Sequence, residues 1–159
     1  MSGLEGLAVA ASIIQVADAG LRISQTVYAY AESVRSADKR LKDVAIDVRV
    51  TSDIVRHVAE LFDDFGKHVG PKELQTANEC VNRCKAAFKE VEEYANKAKP
   101  RVSKWRFPLR ERKLELMDAK LEQLKTSLHI MLTVIQNKNE LKIAVERKST
   151  RMTTHCLRI

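Results

Sequence analysis

Glycine and proline are scarce in this chain, 5 and 3 among 159 residues. Strands need turn residues far more often than that, so the scarcity argues against a sheet and for long helices. Three cysteines, Cys80, Cys84 and Cys156, make no disulfide framework, and no cleavable leader is visible ahead of the first apolar stretch. The expected setting is reducing and cytoplasmic. Residues that announce a reaction are missing as well. No GxxxxGK[ST] phosphate loop occurs, and the glycines are too scattered for a dinucleotide turn. His57, His68, His129 and His155 are not grouped with acids or cysteines at ligand spacing, and the Glu-x-x-His of carboxylate-bridged metal bundles is absent. Glu92 with Glu93 and Asp63 with Asp64 are adjacent pairs, which on helices point to different faces and stay solvated. Cys80 and Cys84 share a helix face, but with no His at a matching spacing the reading is a buried thiol rather than half a metal site. The chain is therefore read as a non-enzyme with no cofactor and no metal.

What the chain does have is apolar residues at alternating three- and four-residue steps, in four stretches. Val9, Ile13, Val16, Ile23, Val27, Tyr30 and Val34 form the first seam; Leu41, Val44, Val48, Val55, Val58, Phe62 and Phe65 the second. Leu74, Ala77, Val81, Cys84, Phe88, Val91 and Ala95 form the third; Leu114, Met117, Leu121, Leu124, Leu128, Met131 and Ile135 the fourth. The spacing predicts an all-α fold, an antiparallel bundle of four long helices, and a hydrophobic content of 45% suffices for one core. Helix one is expected over residues 4–34, with Gly20 a place where it could kink, and the Ser36-Ala37-Asp38 stretch offers a cap for helix two. Helix two should stop near Gly66, helix three should open at Pro71 and end before Pro100, and Pro108 should open helix four. The bundle is expected to fill residues 1–140. Beyond Gln136 the fourth seam meets Asn137, Lys138 and Lys142, so residues 141–159 read as a helical extension and a frayed basic tail.

Two segments are unusual. Residues 6–17 are free of charge, and beside the first seam a second apolar stripe, Leu7, Ala10, Ile14, Ala17 and Leu21, turns another side of the helix to apolar surroundings. Two readings stand: this is the central helix of the bundle, or it packs away at rest and enters a bilayer. The charge-free run falls short of the ~20 residues a lone spanning helix needs, so a resident anchor is not expected. The second segment concentrates the net charge of +7: residues 1–99 hold 14 Lys/Arg against 15 Asp/Glu, whereas residues 100–159 hold 14 against 6. Arg101, Lys104, Trp105, Arg106, Phe107, Arg110, Arg112 and Lys113 combine cations with aromatics, a composition suited to anionic headgroups or to a solvated bundle end. Nucleic acid would use the same charges, but no recognition motif accompanies them, which disfavours it.

The opening GLEGLAVAASIIQVADAGLRISQTVYAYAESVRSA, the Lys104-Trp105 pair and the run KLEQLKTSLHIML together resemble the fungal N-terminal domain found ahead of STAND or NLR-like receptors, called HeLo-like. That family includes the N-terminal region of azaphilone pigment biosynthesis cluster protein L, and the likeness covers about residues 1–140. The resemblance implies a helical bundle related to programmed-cell-death execution domains, acting through protein partners or a homo-oligomer, with an N-terminal membrane-active helix. By position that part would be residues 4–16, with Leu4, Leu7, Val9, Ile13, Ile14 and Val16 as contact residues, and the protein would be cytoplasmic and peripheral at membranes. The chain departs from the receptors in lacking a nucleotide-binding module and repeats. The pigment-cluster members imply an alternative, a non-catalytic accessory protein of fungal secondary metabolism.

Overall fold

The computed structural model of the protein describes residues 3–33, 39–65, 69–97 and 107–156, with side chains over 6–33, 39–64, 69–97 and 111–152. These residues form four α-helices, α1 (Gly3–Ser33), α2 (Lys39–Phe65), α3 (Pro71–Lys97) and α4 (Phe107–Cys156), and no strand occurs among them. The expected ends fall within one or two residues of the observed ones because the punctuation is local. At the start of α3, Pro71 occupies the first helical position, where its missing N–H costs nothing, and the Gly70 carbonyl accepts the Leu74 N–H at 3.1 Å. Ser36, Ala37, Asp38, Gly66 and Pro100 lie outside the described residues.

Cross-helix pairs give the direction of each helix. Asp18 meets Arg56 at 2.7 Å, the Ser24 hydroxyl donates to the Ala45 carbonyl at 2.8 Å, and Glu32 meets Lys42 at 3.6 Å. Positions rise on α1 as they fall on α2, so the two are antiparallel. Glu90 with Lys120, and Glu73 with Lys138, set α3 and α4 antiparallel in the same way. Arg40 meets Glu115 at 2.6 Å while Asp47 meets Lys125 at 2.8 Å, which makes α2 and α4 parallel neighbours. α1 packs most extensively on α2 and also on α3, and α4 packs on α2 and α3. Among the described residues α1 and α4 do not pack together; they lie diagonally across the bundle. One end of the bundle thus holds the starts of α1 and α3 and the end of α2. The other holds the starts of α2 and α4.

The second, third and fourth seams are the core. All seven seam residues of α4 are buried, as are Leu41, Val44, Val48, Val55, Val58 and Phe62 on α2 and every α3 seam residue but the half-buried Leu74. The side chain of Phe65, and all of Val34, lie outside the described residues. α1 packs differently from expectation. Its deepest line is Gly6, Ala10, Ile13, Ala17, Gly20, Ser24, Val27 and Ala31, mostly small residues at alternating four- and three-residue steps. Val9, Ile23 and Tyr30 are only half-buried. Small side chains let two helix backbones approach, and α2 answers with Ala45, Ser52 and Ala59, all buried. The helix runs unbroken through Gly20, which serves close approach: a Cβ there would lie 2.1 Å from Ser52 Oγ and 2.5 Å from Phe88 Cε2.

α4 is 50 residues long, about 75 Å, against about 40 Å for the 27 residues of α3. Among the described residues its last buried one is Asn139. The helix continues to Cys156, a projection of some 17 residues and roughly 25 Å. Strong helix formers such as Glu140, Leu141, Lys142, Ala144, Glu146, Arg147 and Lys148 sustain it where no seam is left to do so.

Candidate functional site: the outer face of the first helix

Because the line facing α2 is built from small residues, larger apolar side chains of α1 are left on the outside. Leu7 is 54% exposed and Ile14 37%, with the exposed Ala8 and Ala11 between them. Leu21 and Tyr28 follow at seven-residue steps on the same side, half-buried and 37% exposed. Asp18, held by Arg56, interrupts the stripe between Ile14 and Leu21. The stripe expected as Leu7, Ala10, Ile14, Ala17 and Leu21 therefore divides: Ala10 and Ala17 belong to the core, and Leu7 and Ile14 to the surface.

The six residues expected to contact a membrane or partner divide likewise. Leu7 and Ile14 are exposed together, Val9 is half-buried against the core, and Ile13 and Val16 are buried within it. Leu4 lies in α1, its side chain outside those described. Over Gly6–Ser33 this helix is long and apolar enough, by length and composition, to cross a bilayer, with mean hydropathy 1.4 and a third of its apolar window buried. The twelve-residue charge-free run understated this, because the window also takes in apolar residues beyond Asp18.

Of the basic and aromatic cluster, Arg101, Lys104, Trp105 and Arg106 lie outside the described residues, and Phe107 and Arg110 lie in the first turn of α4 with undescribed side chains. Arg112 and Lys113 are exposed, and the Lys113 ammonium sits 5.8 Å from the Tyr94 ring centroid. They stand at the opposite end of the bundle from Leu7 and Ile14, so the apolar and cationic positions do not form one patch. Cations at the end of Leu7 and Ile14 are Lys72 on α3, Lys138 on α4, which is paired with Glu73, and Lys142, Arg147 and Lys148 on the α4 projection. Lys142, Arg147 and Lys148 fall in the segment that reads from sequence as a helical extension and basic tail, to which no contact role is assigned.

Polar groups inside the bundle are mostly satisfied locally. Thr51 and Ser52 donate to the Asp47 and Val48 carbonyls of their own helix, each at 2.7 Å. Between α2 and α4, Lys125 bonds Asp47 at 2.8 Å and also Glu122. Burial pulls the Lys125 ammonium pKa down, and the bonds to Asp47 and Glu122 outweigh it, leaving the value above the ordinary one. The Asp118 carboxyl is held above its usual range by a hydrogen bond shared with Asp47, then by burial and neighbouring negative charge. Burial pushes the Cys84 thiol up to about 12, and raises Cys80 in the same direction. Among the described residues no three His, Cys, Asp or Glu gather as a metal site.

An open cleft of about 800 Å³ between α1 and α3 is bordered by Ser12, Asp18, Arg22, Asn78, Val81 and Lys85. None of the protein-family models, curated proteins or solved structures compared with the chain matches it.

Proposed function

We propose that this chain is a non-enzymatic interaction and signalling bundle of the HeLo-like kind, acting through its first helix at anionic membranes. The observation that carries this reading is the inverted arrangement of α1, small residues inward and Leu7, Ala8, Ala11 and Ile14 outward. Transfer of the exposed parts of Leu7 and Ile14 into lipid is worth about 2–3 kcal/mol, which by itself gives weak, reversible binding. Cations at the same end add about 1 kcal/mol each near an anionic surface. The α4 projection supplies them, and association should therefore weaken with salt.

Vesicle co-sedimentation and dye release test this, using anionic and neutral vesicles. Leu7→Glu with Ile14→Glu should abolish binding to anionic vesicles while leaving thermal unfolding within a few degrees of wild type. Ile13→Glu is the contrasting variant: it places a carboxylate at a fully buried position and should unfold the bundle. Wild-type protein that neither binds nor permeabilises anionic vesicles would refute the proposal.

A further inference from the structure

The surface of α4 carries an apolar stripe that neither the bundle nor the proposed membrane face uses. Leu116, Ile130, Val134, Leu141, Val145 and Met152 are all large and exposed, between 44% and 75%. At 100° per residue the six fall within an arc of about 60°, roughly 120° around the helix from the buried seam. The stripe runs without a break in phase from the bundle onto the projection. Along the bundle it borders two adjoining clefts between α3 and α4. One, of about 460 Å³, is lined by Thr76, Cys80, Ile130 and Val134, and the other, of about 340 Å³, by Val69, Glu73, Asn139 and Leu141.

We infer that this stripe is a self-association surface, on which two copies of the chain pair antiparallel through α4. The inference goes beyond the membrane reading and rests on the apolar side chains of Leu141 and Val145, which that reading does not use, so either can fail without the other. Three observations select a second copy as occupant. Propensity keeps the projection helical, and its exposed Leu141, Val145 and Met152 give a second helix an apolar face to pack on. The projection also matches in length the stretch of stripe beside the clefts, so a two-fold axis near the bundle end lays each projection on the other copy's groove. The exposed apolar area is on the order of 500 Å² per copy, more than monomers usually leave open and, with the flanking stems, near the ~800 Å² per partner of a stable pair.

Charge fixes the direction. One flank of the stripe carries Glu115 and Glu122 beside the bundle, and Glu140, Arg147 and Arg151 along the projection, where the cations prevail. An antiparallel overlay that sets Val134 against Leu141 and Ile130 against Val145 brings Arg151 of one copy beside Glu122 of the other. A parallel two-fold would set this flank against the opposite flank of the other copy and would not join these charges.

Sedimentation equilibrium of the full chain, from micromolar to submillimolar concentration, reads the outcome. The expected species is a dimer of twice 18.0 kDa. Leu141→Glu with Val145→Glu should raise the dissociation constant at least about tenfold. The same pair should leave the helix content and unfolding of the dilute monomer unchanged, because both side chains lie beyond the core. Glu122→Arg and Arg151→Glu should each weaken the dimer and together restore it. A chain that stays at 18.0 kDa throughout, or a dimer indifferent to the Leu141 and Val145 changes, overturns the inference. Failure of the charge-reversed pair to recover association overturns the antiparallel register.

Discussion

Replacing Gly20 by alanine should destabilise the protein, although the same change in an exposed helix interior would stabilise it by about 1 kcal/mol. The added methyl would lie 2.1 Å from Ser52 Oγ, and 2.5 and 2.9 Å from two carbons of the Phe88 ring. Ser52 is tied to the Val48 carbonyl and Phe88 is 1% exposed, so neither has solvent to move into. Either α1 must shift away from α2 and α3, or Phe88 must leave its rotamer, and overpacking of this kind costs roughly 1–3 kcal/mol beyond the propensity gained. With a net loss of about 2 kcal/mol, a chain of this size should lose about 4–8 °C in Tm. The urea midpoint should fall by about 1 M for a slope near 2 kcal/mol/M. Paired urea titrations of wild type, Gly20→Ala, Ser52→Ala and the double variant provide the measurement. The double variant should recover part of the loss, because it removes the nearest clash and keeps the one with Phe88. An alanine variant as stable as wild type would refute the close approach of these three helices.

Asp118→Asn should stabilise the fold at neutral pH by about 0.5 kcal/mol, a small figure because the side chain is largely exposed and screened. The raised carboxyl value means that the contribution of Asp118 is complete below its ordinary 3.8 and fades as pH rises through the raised value. Asparagine donates to Asp47 at any pH, so the gap in urea midpoint between variant and wild type should open with rising pH; a constant gap would contradict the shared proton. Cys84 should resist alkylation near pH 8 in the native protein, since its thiol is pushed up to about 12 by burial, and should react once unfolded. Peptide mapping by mass spectrometry reads this, and rapid labelling of the folded chain would contradict the burial.

How much of this was legible in the residues depended on what kind of side chain carried the packing. On α4 the seven apolar residues of the seam are all large, and all seven are buried. On α1 Ile13, Val16 and Val27 of the expected seam are buried, but much of the packing is done by Gly6, Ala10, Ala17, Gly20 and Ser24, which weigh almost nothing in a search for hydrophobic periodicity. Val9, Ile23 and Tyr30 were picked out instead and are only half-buried. The signal was present as small residues recurring at alternating four- and three-residue steps, and it becomes readable once a close helix pair is considered. For the candidate site, Leu7 and Ile14 were legible as apolar and Ile13 and Val16 as seam members, but the side each would turn to solvent depended on that misplaced line. The reach of α4 was hidden for another reason. Loss of the inward seam after Ile135 marks where α4 leaves the bundle but not how far the helix runs, because backbone propensity carries it on for about six more turns, to Cys156.

A rod that leaves the bundle as one continuous helix fixes the azimuth of whatever is joined to it. Every residue added or removed along that shaft turns a fused module by 100° and moves it by 1.5 Å. Single-residue insertions after Asn139 would thus swing a reporter domain around the axis in discrete, countable steps, making the shaft a protractor for engineered fusions.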